Sequence, residues 1–68
     1  MTIVVFTTQN AEQFFQLGGT YETLPAAEMP SSVVDAASLW NWLSGATQAV
    51  YHYVAQMILD WINSQGLE

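Results

Sequence analysis

The sequence predicts an α+β fold that is mostly helical, with a short N-terminal strand, a short helix and a long C-terminal helical segment in which a break near Gly45 is favoured. A run of β-branched and aromatic residues opens the chain, a capping residue and a glycine bracket a short helical stretch, and apolar side chains recur at helical spacing through the second half. At 68 residues the chain makes a single small domain. Residues 1–30 hold the strand, the short helix and a loop, and residues 31–65 form the helical segment.

The strand is predicted over residues 2–7, because residues 3–6 form a continuous apolar run. An isolated strand leaves its backbone groups without hydrogen bonds, so it needs a partner. Residues 20–24, followed by Pro25, are the candidate second strand. Pairing with the same strand of another chain is the alternative that the sequence leaves open.

A short helix is predicted to begin at Asn10, which can cap its first turn while Gln13 reaches back in a capping box. Gly18 suits the left-handed position that ends a helix. Residues 26–30 are then predicted to be a linker.

The long helical segment is predicted to begin after Pro30, with Ser31 or Ser32 as its N-cap and Asp35 in its first turn. The helical pattern runs to Asn63, and Gly66 can stop it. A turn between two helices at residues 44–45 is favoured over one straight rod, because glycine weakens a helix interior.

No charged residue lies between Asp35 and Asp60, which raises the alternative of a membrane span. Polar residues interrupt this stretch so often that no apolar run exceeds three residues, and no lysine or arginine is present to set a topology. A helix of a small water-soluble domain is the better interpretation, with a membrane-associated protein as the third-ranked alternative.

Read as one helix, the segment has a core stripe on one face and a narrow polar back. The predicted core stripe consists of Leu39, Leu43, Ala46, Val50, Val54, Met57 and Trp61. It is flanked by Trp42, Ala49 and Tyr53 on one side and by Trp40, Tyr51, Ile58 and Ile62 on the other. This apolar arc is wider than that of an ordinary surface helix, so we expect some aromatic area to stay exposed.

The charge composition restricts the possible partners. The chain has six acidic residues, no lysine or arginine, and a net charge of −6. Binding to nucleic acid or to an anionic membrane needs cationic side chains, so neither is expected. The expected partner is a protein, with a basic surface favoured. The alternative is that acidity only keeps a small apolar protein in solution.

The candidate partner-binding residues follow from these two features. Exposed aromatic surface ringed by polar residues is typical of contact sites, where tryptophan and tyrosine are favoured anchors. The predicted anchors are Trp40, Trp42, Tyr51, Tyr53 and Trp61, and the predicted acidic rim consists of Glu22, Glu28, Asp35 and Asp60. The alternative for any one aromatic is that it only completes a small core.

The residue types that carry catalysis are scattered or missing. His52, the only histidine, lies on the predicted polar back between Gln48 and Gln56. No pair of acids has the spacing of a metal or acid–base site, and no cysteine is present. We therefore predict no enzymatic activity, no cofactor and no metal.

These observations predict an inhibitor or adaptor that sterically occludes a basic, nucleic-acid-handling surface of a host protein. In size and acidity, though in no specific motif, the chain is similar to phage-encoded anti-defence proteins of the anti-CRISPR or anti-restriction type. A homo-oligomeric structural or assembly protein is the alternative, and a homodimer is compatible with both. The chain shows no targeting signal, so a cytoplasmic location is expected, in the host cytoplasm if the protein is viral.

Overall fold

A computed structural model describes residues 5–24 and 29–65, which contain three α-helices and one short 3-10 helix. The α-helices are α1 (Thr8–Gln16), α2 (Ala36–Ser44) and α3 (Gln48–Ser64), and the 3-10 helix spans Tyr21–Thr23. The described ranges contain no strand, so the mostly helical character is confirmed and the predicted β component is not seen.

The apolar run before α1 does not form a strand where the structure describes it; residues 2–4 lie outside the described ranges. Side chains, not a neighbouring strand, bind its carbonyl oxygens: Asn10 Nδ2 donates to the Val5 carbonyl at 3.1 Å, and the Tyr51 hydroxyl donates to the Phe6 carbonyl at 3.2 Å. Phe6 itself is buried. The segment therefore contributes the buried side chain of Phe6 and the N-cap of α1, and its described residues form no strand of a β-sheet.

The predicted second strand is also wrong, because residues 20–24 hold the 3-10 helix. The Thr20 amide donates to Thr23 Oγ1 at 3.2 Å, and the Thr23 amide donates to the Thr20 carbonyl at 3.0 Å. Threonine side chains that bond to nearby backbone groups favour turns in this way. Pro25, expected to end the strand, and most of the predicted linker lie outside the described ranges.

The N-cap of helix α1 lies three residues earlier than predicted, and the helix ends as predicted. Thr7, not Asn10, is the N-cap, and its side chain accepts a hydrogen bond from the Asn10 amide. Gly18 has φ 97° and ends the helix. The Gly19 amide donates to the Phe14 carbonyl at 2.9 Å, which gives the paired hydrogen bonds of a Schellman motif together with the bond from Gly18 to Phe15.

The predicted break at residues 44–45 is confirmed: α2 ends at Ser44 and α3 begins after Thr47. Asp35, not Ser31 or Ser32, caps α2, because its carboxylate accepts from the Ser38 amide while the Ser38 hydroxyl accepts from the Asp35 amide. Helix α3 ends at Ser64, and Gly66 lies outside the described ranges.

A single hydrophobic core joins the three α-helices, with α1 packed against both α2 and α3. Its buried residues are Phe6, Ala11, Phe14, Val33, Leu39, Leu43, Val54, Ala55, Ile58 and Ile62. Leu39 and Leu43 are buried as predicted. Ile58 and Ile62, which were predicted to flank the core stripe, lie in the core, whereas Met57 of that stripe is 44% exposed.

Candidate protein-binding surface on the third helix

One side of α3 carries a row of apolar side chains that the core covers only in part. The row, which we call the α3 strip, consists of Val50, Tyr53, Met57 and Trp61. The steps of three and four residues between them place all four on one side of the helix. Tyr53 is 53% exposed and Met57 is 44% exposed, whereas Val50 and Trp61 are half-buried. Apolar area of this kind, continuous along a helix, is typical of contact surfaces.

The strip exists because the break before α3 resets the phase of the helix. The side of α3 that faces the core carries Val54, Ala55, Ile58 and Ile62. Relative to the predicted core stripe, this face is rotated by about 100°, the turn that one residue makes in an α-helix. Val54 of the predicted stripe is therefore still buried, whereas Val50, Met57 and Trp61 lie at the edge of the core.

A cleft of about 280 Å³ lies at the C-terminal end of the strip, between α1, the 3-10 helix and α3. Its described lining residues are Phe14, Thr23, Leu24, Met57, Ile58, Asp60, Trp61 and Ser64. Phe14 is buried and meets Trp61 edge to face, with ring centroids 4.9 Å apart. Since most of these side chains are apolar, the cleft extends the apolar surface of the strip inward.

Asp60 supplies the charge at this end of α3. Of the described residues that line the cleft, only Asp60 is formally charged. Its side chain is exposed, and Oδ1 accepts a hydrogen bond from Gln56 Nε2 at 2.9 Å. The full chain contains no lysine or arginine that would pair with this carboxylate. An apolar cleft with an available carboxylate suits a ligand that is both apolar and cationic.

Of the other predicted acids, the two that the structure describes do not line this cleft. Glu22 is exposed on the 3-10 helix, and Glu28 lies outside the described ranges. Asp35 is exposed, and its carboxylate caps α2. The hydrogen bond from the Ser38 amide is the main cause that lowers the pKa of Asp35 below its ordinary value of 3.8.

Besides Trp61, which meets Phe14, three of the predicted aromatic anchors have clear structural partners. Trp40 stacks on Phe6 with ring centroids 6.0 Å apart. Tyr51 meets the same Phe6 ring edge to face, with ring centroids 6.5 Å apart. Trp42 is half-buried and packs against the core. All three retain some exposed area, yet replacing them would disturb packing as well as any contact. Tyr53 is the most exposed of the predicted anchors.

Sequence reasoning missed Met57 as a surface residue because it extended the phase of α2 through the break. The signal that points to it is local to α3: Met57 lies four residues from both Tyr53 and Trp61. Methionine adapts its shape to different partners, which makes it a frequent contact residue.

The structure places the single histidine of the chain on the surface of α3. His52 is exposed, with its ring 6.4 Å from that of Tyr51. Within residues 5–24 and 29–65, no cluster of three or more histidine, cysteine, aspartate or glutamate residues lies close enough to hold a metal. No described helix is both long and apolar enough to cross a bilayer.

The sequence matches no protein-family model, and no curated protein or solved structure matches it.

Proposed function

We propose that this protein is a small acidic inhibitor or adaptor that binds another protein through the α3 strip and its cleft. The observation that carries the proposal is the exposure of Tyr53 and Met57 beside the half-buried Trp61, next to an acidic side chain that has no basic counterpart in the chain. Interfaces have an apolar centre and a polar rim, and the strip with Asp60 at its end has this arrangement.

Charge favours a basic partner over a second copy. A second copy also carries a charge of −6 and contributes no lysine or arginine, so the two would repel at low ionic strength. A basic surface would instead be attracted, and its association would be faster and more selective. The commonest large basic surfaces are those that bind nucleic acid.

Steric occlusion is the mechanism that suits this charge pattern. A mimic of duplex DNA would need one negative charge about every 1.7 Å along its axis. Six acids in 68 residues are too few for that. We propose that the strip docks beside or on a nucleic-acid-handling surface and blocks it, in the manner of an anti-CRISPR or anti-restriction inhibitor.

The test is capture of basic proteins from a host lysate, with three baits compared. The baits are the natural chain, the double variant Tyr53→Ser/Met57→Ser, and the control Asn63→Ser, which changes an exposed residue of α3 outside the strip. Loss of contact residues at the centre of an interface costs about 2 kcal/mol or more, roughly 30-fold in affinity. We expect the double variant to lose the partner and the control to keep it.

Competition identifies the surface that is blocked. We expect the captured partner to lose nucleic-acid binding as the natural chain is added, and to retain it when the double variant is added. Equal capture by all three baits would refute the strip as the binding surface. A natural chain that is dimeric by light scattering, with a monomeric double variant and no captured partner, would favour the homo-oligomeric alternative.

A further inference from the structure

We infer that the cleft at the end of the strip binds a lysine or arginine of the partner together with an adjacent large apolar side chain. This inference rests on the proposed function and adds to it the chemistry of the recognised segment. It derives from three properties of the cleft: its size, its apolar wall and the state of the Asp60 carboxylate.

The size of the cleft suits one or two side chains. Its volume of about 280 Å³ lies just below the range of roughly 300–1,000 Å³ that is typical of small-molecule pockets. The wall formed by Phe14, Met57 and Trp61 can bury an aliphatic side chain, and methionine can adjust to its shape. A short peptide segment that inserts one apolar side chain therefore fits better than a large cofactor.

Among the described residues, only one oxygen of the Asp60 carboxylate has a hydrogen-bond partner. Gln56 donates to Oδ1, and among the described residues no donor is bonded to Oδ2. Trp61, the next residue in α3, lines the same cleft, and an indole ring also attracts cations. The cleft thus presents a carboxylate and an indole beside apolar surface, which matches the apolar stem and charged head of lysine or arginine.

A second copy of the chain cannot supply this ligand, because the sequence contains no lysine or arginine. The inferred ligand therefore belongs to a different protein. It is also the residue type that a nucleic-acid-binding surface presents most often, so a cleft of this kind would engage the residues that the partner needs for its own ligand.

The experiment uses NMR titration of the full chain with three short capped peptides. The first contains a leucine followed by an arginine, the second replaces the arginine with glutamine, and the third replaces the leucine with alanine. The signals to follow are the Met57 methyl and the Trp61 indole N–H. We expect the first peptide to shift both signals and the other two to bind about fivefold more weakly, as expected for a screened ion pair with a cation–π contact and for a partly buried apolar side chain.

Two variants that each remove one negative charge test whether Asp60 is the residue that binds the arginine. Asp60→Asn is expected to weaken the leucine–arginine peptide by about fivefold and to leave the leucine–glutamine peptide unchanged. Glu12→Gln removes the same charge from α1, outside the cleft lining, and is expected to change neither peptide. Unchanged thermal unfolding of both variants establishes that the fold is intact.

Several results would overturn the inference. They are equal affinity for the arginine and glutamine peptides, shifts that map away from Met57 and Trp61, an absence of shifts, or an equal effect of both charge-removing variants. If the strip double variant still loses the captured partner in that case, the proposed function stands and only the cleft chemistry is wrong. If the peptide binds but no partner is captured, the inhibitory role is refuted and the proposed ligand chemistry of the cleft stands.

Discussion

The two long sides of α3 are similar in apolar content and differ in what covers them. Ile58, on the side that faces α1 and α2, is 1% exposed, whereas Met57, its neighbour in the chain, is 44% exposed. The core side includes Val54, Ala55 and Ile62 and is closed by the other helices. An apolar residue on α3 therefore either fills the core or lies at the surface. Two neighbouring positions, about 100° apart around the helix, can differ in this respect.

The comparison predicts its largest effect at the adjacent pair Ile58 and Met57. Ile58→Ala removes buried methyl and methylene groups and leaves a cavity, so we expect a loss of about 2–5 kcal/mol of unfolding free energy. Met57→Ala should cost less, about 1 kcal/mol, because close to half of Met57 is already exposed to water. Chemical denaturation of both variants checks the pair. Similar losses would mean that the two sides of α3 are not distinct.

A second prediction concerns the junction between the core and the cleft, where Gly19 lies against the Phe14 ring. A Cβ added at Gly19 would lie 2.5 Å from Cζ of Phe14, which is far inside contact distance. Because Phe14 is buried, Gly19→Ala should cost about 1–3 kcal/mol through overpacking. Gly45→Ala is the matched control, since its added Cβ would have no neighbour closer than 3.8 Å and it should be nearly neutral or slightly stabilising. Thermal unfolding of the two variants distinguishes them.

Two tyrosines separated by two positions give the third prediction. The Tyr51 hydroxyl donates to the Phe6 carbonyl, so Tyr51→Phe should cost about 0.5–1.5 kcal/mol, or a fall of several degrees in melting temperature. Tyr53→Phe removes a hydroxyl from an exposed side chain on the strip and should leave the melting temperature unchanged. If both variants unfold at the same temperature as the natural chain, the Tyr51 hydrogen bond does not stabilise the fold.

The smallest predicted effect concerns Asp35, the N-cap of α2. The pKa of Asp35 is lowered chiefly by the Ser38 amide, so its charged form stabilises the folded state at pH values above the ordinary value of 3.8. That contribution is lost as the pH falls through the lowered pKa. Asp35→Asn keeps a capping side chain that does not titrate. Below about pH 4, the natural chain should therefore lose more stability than the variant, measured by thermal unfolding at neutral and acidic pH.

Local sequence signals predicted the C-terminal end of α1 and the break, because each depends on a few neighbouring residues, whereas the predicted N-caps of α1 and α2 were wrong. Gly18 ends α1 through its own left-handed conformation, and the turn after Ser44 separates α2 from α3. The strand prediction failed because its expected ladder is replaced by hydrogen bonds from side chains, one of them from Tyr51, 45 positions away in sequence. No local pattern encodes a contact at that separation.

The candidate site was predicted in part for a related reason. Tyr53, Trp61 and Asp60 were chosen by residue type, and the structure places them along or beside one side of α3. Met57 was assigned to the core because the apolar phase of α2 was extended through the break. The orientation of α3 is set by its packing against α1, and sequence spacing within the segment does not contain that information.

The helix caps involve no cationic side chain, and this affects how the stability of the fold depends on ionic strength. Thr7 and Thr47 cap α1 and α3 with neutral side chains, and Asp35 caps α2 without a cationic partner. A chain with no lysine or arginine has acids that chiefly repel one another, and dissolved salt screens that repulsion. Salt should therefore strengthen the fold while it weakens the complex with a basic partner, so that a salt wash that releases the protein also leaves it more resistant to unfolding.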